Sequence, residues 1–382
     1  MPAPGQALRS LEAEGLLREL RPLDSSSGPA VVRNGMELWN FASNDYLGLS
    51  QHGRLKAAFT EGIRCFGVGS TASRLVCGTQ PPHVLLEEKL AEKKQAEAAL
   101  SFSSGYATAL GSIPVIAGKD DFILLDKLCH ASLVDAARLS GATIRVFPHN
   151  DLGKLARLLS SIRAKTASAT ILVVTESVFS MDGDLCPLAE IVDLTESNNA
   201  LLFLDEAHAV GVLGGNGMGL SDALGLQDRI AFQMGTLSKA VGLSGGYLAA
   251  SRAWIDLFVN RARSFVFSTA PPPALAHAAA TALDLIASPE GAGLRRRLFS
   301  NIRLLADHPS PIIPHILGGN TEALAASAAL EEAGFMVPGI RFPTVPRGTA
   351  RLRISISAAH PPEAVTALAA AISTLAKPSD RS

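Results

Sequence analysis

Short, largely apolar runs recur through the middle of this chain, and they restrict its fold more than any other feature. They are Ala99–Phe102, Phe122–Leu125, Thr143–Phe147, Thr170–Val174, Ala200–Leu204 and Tyr247–Ala250. Between them lie stretches with helical spacing, such as Leu152, Leu155, Leu158 and Leu159, or Leu188, Ile191, Val192 and Leu194. A strand that is apolar on both faces must be covered on both, and intervening helices supply that cover. The pattern therefore predicts an α/β fold with a mostly parallel sheet between helical layers. A length of 382 residues leaves room for a second, smaller domain.

After Pro271-Pro272-Pro273 the rhythm changes. Helix-like Ala/Leu stretches follow, then the apolar piece Pro311–Pro314 and the alternating Leu352-Arg353-Ile354-Ser355-Ile356. The expected division is a large domain over 46–273 and a smaller α+β C-terminal domain over 274–382. An N-terminal segment, 1–45, with a polar helix from about Gln6 to Leu20, is expected to pack with the smaller domain.

Composition removes several classes. Lys+Arg is 34 against Asp+Glu 35, a net charge of -1, so the basic excess of a nucleic-acid binder is absent. Charged residues at 18% are too few for a disordered chain, and 5% aromatics leave the core to Ala, Leu, Val and Ile. Cys65, Cys77, Cys129 and Cys186 form no C-x-x-C pair, so neither a metal site nor a disulfide framework is expected. Met1–Ser10 has no apolar stretch after a basic start, and the Ala-rich run Ala274–Ala282 is broken by His277. The expectation is a soluble cytoplasmic protein with no membrane or nucleic-acid partner.

In open parallel sheets, ligands bind beyond the carboxyl ends of the strands. The polar residues after each run are Ser103–Tyr106, Asp126–His130, Glu176–Asp182, Asp205–His208 and Thr236–Lys239. A strand ending in Asp205-Glu206-Ala207-His208 also suits the magnesium element of a nucleotide-hydrolysing motor. That site needs a G-x-x-x-x-G-K-[ST] loop, and none exists: Gly118-Lys119 runs into Asp120, and Lys165-Thr166 lacks the glycines. Pyridoxal phosphate has needs these residues meet. Its ring nitrogen wants a buried carboxylate, which Asp205 supplies, and its oxygen wants a donor such as His208. Its aldehyde wants an amine, Lys239, and its phosphate wants hydroxyls and a helix start such as Gly105-Tyr106.

These residues stand within longer motifs. They include Asn44-Asp45-Tyr46-Leu47-Gly48-Leu49, Ser73-Arg74-Leu75-Val76-Cys77-Gly78-Thr79, Cys129-His130-Ala131-Ser132-Leu133 and Val178–Asp184. Asp205–His208, Thr236-Leu237-Ser238-Lys239 and Pro343–Arg353 complete the set. From Leu38 to His360 the chain resembles the α-oxoamine synthases, pyridoxal-phosphate enzymes of the aspartate-aminotransferase fold type (fold type I).

The resemblance implies a seven-stranded, mostly parallel sheet in the large domain. It makes Lys239 the Schiff-base lysine and Asp205 the partner of the pyridine nitrogen. His208 is implied at the ring oxygen and His130 on the ring face. Gly105, Tyr106, Ser180 and Thr236 are implied around the phosphate and ring oxygen. Asn44, Arg353 and Thr344 are implied at the amino-acid substrate, His130 at the substrate as well as the ring, and Arg18 at the acyl-CoA, with no metal. The implied reaction joins an amino acid to an acyl thioester with loss of CO2, in a homodimer whose sites lie at the interface. Ser73–Thr79 and Ser180–Pro187 favour the branch that condenses L-alanine with a pimeloyl thioester for biotin biosynthesis, carried on coenzyme A or an acyl carrier protein. Cys77-Gly78-Thr79-Gln80 is shared with the branch that acetylates glycine, and Pro343–Pro346 with the branch that makes 5-aminolevulinate. A free acyl carboxylate would call for a cation, which Arg347 or Arg351 could supply. A non-catalytic regulator of the same fold would usually carry a fused DNA-binding domain, for which the length leaves no room.

Overall fold

A computed structural model describes residues 3–375. The chain divides into two compact units. The larger comprises Leu49–Ser180 and Asp184–Arg296, and the smaller joins the described residues up to Gly48 to Met181–Gly183 and those from Arg297 onward.

The larger unit is built on seven strands: β1 (Ala98–Phe102), β2 (Phe122–Asp126), β3 (Thr143–Phe147), β4 (Ile171–Glu176), β5 (Leu201–Asp205), β6 (Phe232–Thr236) and β7 (Gly246–Ala250). They lie in the order β1-β7-β6-β5-β4-β2-β3, all neighbours parallel except that β7 runs against both β1 and β6. Each expected run is a strand, and β6 is a seventh that the apolar pattern does not reveal. Gln233 and Gly235 interrupt it, yet Gln233 is buried because its amide donates to the Lys94 and Gln227 carbonyls, at 3.0 and 2.9 Å. Two apolar clusters line the sheet, one around Phe102, Ile113, Leu133, Phe203, Phe232 and Phe258, the other around Leu124, Leu155, Leu159, Val173, Ile191 and Leu204. The chain reverses direction across the sheet between β2 and β4, which creates the crevice at strand ends where ligands sit.

The division differs from the expected one at residue 273. The helix Pro273–Ala287 belongs to the larger unit, because nearly its whole circumference is apolar Ala and Leu and it packs on the helices Gly53–Phe66 and Pro81–Lys93. Lys89 and Asp284 pair across that contact, and His277 lies against Phe66 with centroids 6.1 Å apart.

The smaller unit contains two three-stranded sheets. In one, Ala30–Arg33 and Met36–Asn40 form a hairpin that Phe335–Met336 joins in parallel. In the other, Ala350–Ser355 is the central strand between Ile312–Gly318 and Gly339–Ile340. The N-terminal helix spans Pro4–Ala13, not Gln6–Leu20. Gly15, at φ +64°, ends it: its N–H donates to the Glu12 carbonyl (2.9 Å) and that of Leu16 to Leu11 (2.7 Å), the Schellman arrangement. Arg18 therefore lies beyond the helix.

Candidate active site

The strand ends of the larger unit gather the expected cofactor residues. Asp205 ends β5 and is buried, and its Oδ1 accepts the Ala207 N–H at 2.9 Å. That bond begins the turn which carries His208, also buried. His130 follows β2 and caps the helix Ala131–Ser140, its Nδ1 accepting the Ser132 N–H at 3.2 Å. Lys239 lies three residues past β6, in a turn closed by the Gly242 N–H on the Lys239 carbonyl, 2.8 Å, and the Leu243 N–H on that of Leu237, 2.9 Å. Thr236 Oγ1 donates to the Gly245 carbonyl (2.8 Å) and pairs with Ser238 Oγ (2.7 Å), so Ser238 is a second hydroxyl at this turn. Ser180 is buried in the loop after β4.

Gly105 and Tyr106 open the helix Gly105–Ile116 behind the cap Ser104, which accepts the Ala107 N–H at 3.0 Å. Gly246 lets β7 approach that helix start, since a Cβ there would stand 2.6 Å from the Gly105 nitrogen. The Tyr106 hydroxyl donates to Asp135 at 2.7 Å, so what Tyr106 offers an anion is its main-chain N–H at the helix N-terminus.

Charge binds the cluster together. Burial pushes the Asp205 carboxyl up, while Lys239, the Ala207 N–H and His130 pull it down. Enclosure lowers the His130 ring although it keeps a solvent-facing side; Asp205 opposes that shift and Lys239 reinforces it. The loop after β4 is fastened by His149, whose ring bridges Asp126 (3.1 Å) and Asp184 (2.7 Å) and stands edge-on to Phe179. Burial alone would depress that imidazole, but the two carboxylates raise it to about 10.

Of the expected substrate residues, His130 falls in the larger unit and Arg18, Asn44, Thr344 and Arg353 in the smaller. Arg353 is 5% exposed, so it is not a strand arginine on the solvent face. Its Nη1 donates to Ser355 Oγ (2.8 Å) and Asn44 Oδ1 (3.2 Å), and Asn44 also accepts from the Tyr46 hydroxyl at 3.0 Å. Arg18 and Thr344 meet, Nη2 donating to Oγ1 at 3.1 Å, although 326 positions separate them. The two arginines expected at an acyl carboxylate are otherwise engaged. Arg351 is buried, donating to the carbonyls of Thr349 and Met181 and to Asp182 Oδ1, and Arg347 stacks over Phe342 at 4.2 Å.

A groove that sequence reasoning did not find compensates. Arg18, Arg21, Arg33 and Arg341 line a cavity of about 470 Å³ with Glu19 and Glu331. Arg33 and Arg21 pair with Glu331; Arg341 donates to the Leu17 carbonyl at 2.6 Å, and its Nε is buried with no partner. Burial, then the charges of Arg18 and Arg21, lower the Arg341 guanidinium. An anion would relieve all three.

The aminotransferase class I and II pattern matches residues 37–372. An 8-amino-7-oxononanoate synthase of Anaeromyxobacter sp. (strain K) is 46% identical over 97% of this chain and 94% of its own length. One from Geobacter sulfurreducens is 45% identical over 97% of both chains. Among solved structures, the serine palmitoyltransferase of Sphingomonas wittichii superposes with a TM-score of 0.90 at 31% identity, over 97% of this chain and 96% of that one. An 8-amino-7-oxononanoate synthase from Francisella tularensis does so with a TM-score of 0.73 at 27% identity, over 88% of this chain and 97% of that one. With a family pattern that spans most of its length and relatives that match it nearly end to end, the chain belongs to the aminotransferase class I and II family and, within it, to the α-oxoamine synthases.

Proposed function

We propose that this chain is a pyridoxal-phosphate-dependent acyltransferase that condenses L-alanine with a pimeloyl thioester to give 8-amino-7-oxononanoate, CO2 and the free thiol. The observation that carries the reading is the buried Asp205 carboxylate under the charge of Lys239, at strand ends that also present a helix N-terminus and the Thr236–Ser238 hydroxyls. That donor set fits the cofactor: an anion for a ring nitrogen, an amine for an aldehyde, and main-chain N–H groups with hydroxyls for a phosphate. When bound, pyridoxal phosphate supplies the electron sink that makes the bonds at the amino acid's Cα labile.

The chain's own residues do the rest. Lys239 Nζ anchors the cofactor and, once the substrate amine has replaced it, takes the Cα proton. Asp205 keeps the proton on the ring nitrogen, His208 donates to the ring oxygen, and His130 covers the ring face. Gly105, Tyr106, Ser180 and Thr236 hold the phosphate and ring oxygen. Arg353, aimed by Asn44 and Ser355, receives the alanine carboxylate as a charge-assisted fork, with Thr344 beside it. A carbon–carbon bond forms between Cα and the acyl carbonyl and the carbon–sulfur bond breaks. The thiolate leaves with a proton, the alanine carboxylate departs as CO2, and a proton takes its place on Cα.

The arginine groove suits the anionic end of the thioester, whether the acyl carboxylate or the phosphates of coenzyme A or of a carrier protein's prosthetic arm. Arg18 and Arg341 are the residues proposed to meet it. A homodimer is supported by apolar side chains left bare on the larger unit: Val68, Val76 and Phe267 are each more than 70% exposed, and Ser73 bridges to Thr269 beside them. Among the described residues no helix is long and apolar enough to cross a membrane. L-Alanine labelled with ¹³C at its carboxylate, mixed with pimeloyl-CoA or pimeloyl-carrier protein, tests the proposal. Labelled CO2, free thiol and 8-amino-7-oxononanoate should appear in equal amounts. Pyruvate without labelled CO2 would show amino transfer and overturn it.

A further inference from the structure

Glu176 is a buried carboxyl to which the chemistry above gives no part. It ends β4, is 3% exposed, and lies in register with Asp205 on the neighbouring parallel strand. Paired residues of adjacent parallel strands project to the same face about 5 Å apart, so the two carboxyls are neighbours beneath one site. Glu176 Oε1 accepts the main-chain N–H of His130 at 2.5 Å. His130 is the cap from which its helix starts, and its ring is held by Ser132, so the amide contact fixes where the imidazole begins. The charged and titratable groups acting on Glu176 are Asp205 and Asp126, against it, and Lys239, in its favour; His130 contributes its amide. Asp126 is tied to His149. Two carboxylates this close, both buried, cannot both ionise at modest cost.

We propose that Glu176 is a positioning residue that works as a neutral carboxylic acid: it seats His130 through that residue's amide and leaves Asp205 the charged carboxylate of the pair. This rests on the larger unit's strand ends being the cofactor site. Burial first, then the Asp205 charge, push the Glu176 carboxyl well up, in accord with it. A glutamine offers the same carbonyl acceptor without a charge; a leucine fills the space and offers none.

The test uses pyridoxal-phosphate-loaded wild type, Glu176→Leu and Glu176→Gln. Glu176→Leu should lower kcat by roughly tenfold to a hundredfold, the cost of a misplaced ring, and change the visible circular dichroism of the bound cofactor. Glu176→Gln should restore both. An infrared difference spectrum of wild type minus Glu176→Gln should show the carbonyl stretch of a protonated carboxyl, a readout that stands even where Glu176→Leu fails to fold. A Glu176→Gln enzyme as impaired as Glu176→Leu, a Glu176→Leu enzyme indistinguishable from wild type, or an infrared difference showing only a carboxylate would each overturn the proposal. Wild type that binds no pyridoxal phosphate, judged by its visible spectrum, would refute the cofactor reading instead.

Discussion

Replacing Lys94 with methionine should destabilise the larger unit severely, and the network around it sets the size of the effect. Lys94 and Glu206 form an ion pair in which neither side chain has any exposure. Lys94 Nζ also donates to the Met218 carbonyl (2.8 Å) and Ser221 Oγ (3.3 Å), while Glu206 accepts from Ser221 N (3.0 Å) and Oγ (2.8 Å). Removing one charge strands the other in the core, a loss of about 3–5 kcal/mol. Glu206→Leu alone should cost about the same, so independent effects would sum to about 6–10 kcal/mol. The double variant Lys94→Met/Glu206→Leu carries no stranded charge. It leaves Ser221 and the Met218 carbonyl short of partners, at about 1 kcal/mol or more per group. Its cost should therefore match one single variant and fall well below the sum. Guanidinium unfolding in a Trp39→Phe background reads this out, because Trp254 lies edge-on to Phe232 of β6 at 5.1 Å and reports the core behind the pair. Glu206 also begins the turn that carries His208, so Lys94→Met should weaken cofactor retention as well. A double variant costing the full sum, or either single costing under about 1 kcal/mol, would refute the reasoning.

Other outcomes follow from the same structure. Lys239→Ala should lose the yellow colour, and borohydride reduction of wild type followed by peptide mapping should label Lys239; a label on Lys119 or Lys127 would misplace the site. Arg353→Met should lower kcat/KM for L-alanine by roughly tenfold to a hundredfold, the worth of a charge-assisted bond, with cofactor binding intact by its visible spectrum. His149 carries a folded pKa of about 10, above the ordinary histidine value. Its stabilisation is therefore complete below about pH 6.5 and lost as pH climbs through about 10, a decline in thermal midpoint that His149→Asn should flatten. Phe267→Asp with Val76→Asp should yield an inactive monomer in sedimentation, since charges on that bare face would oppose burial of the roughly 2,000 Å² an obligate interface needs.

The parallel sheet is legible in the sequence because five of its strands are apolar on both faces and their neighbours carry helical spacing. β6 is not, because Gln233 is buried by bonds to the carbonyls of Gln227 and of Lys94, the latter 139 positions away, and no strand pattern announces such partners. Gly15 does announce itself, following Glu12-Ala13-Glu14 and preceding Leu16, yet an apolar spacing that runs on through Leu17 and Leu20 masks the stop. The residues at strand ends stand out because a parallel sheet leaves only its strand ends polar, which brings Asp205, His208, His130 and Lys239 forward together. Glu176 satisfies the same rule and heads one of those polar stretches, yet its role is not legible there, because its meaning lies in its register with Asp205 and its bond to His130. Arg351 and Arg341 show the converse. Both are arginines near Thr344 in sequence, and only folding reveals that Asp182 occupies the first while the second shares a groove with Arg18 and Arg21.

The most direct test of the central claim is kcat/KM for alanine and glycine, each with pimeloyl, acetyl and succinyl thioesters on coenzyme A, and with pimeloyl-carrier protein, under one set of conditions. L-Alanine with a pimeloyl thioester should lead. Glycine should trail by roughly tenfold to two-hundredfold, which is what a pocket for one methyl group can deliver. Glycine with acetyl-CoA surpassing alanine with both pimeloyl thioesters would contradict the account.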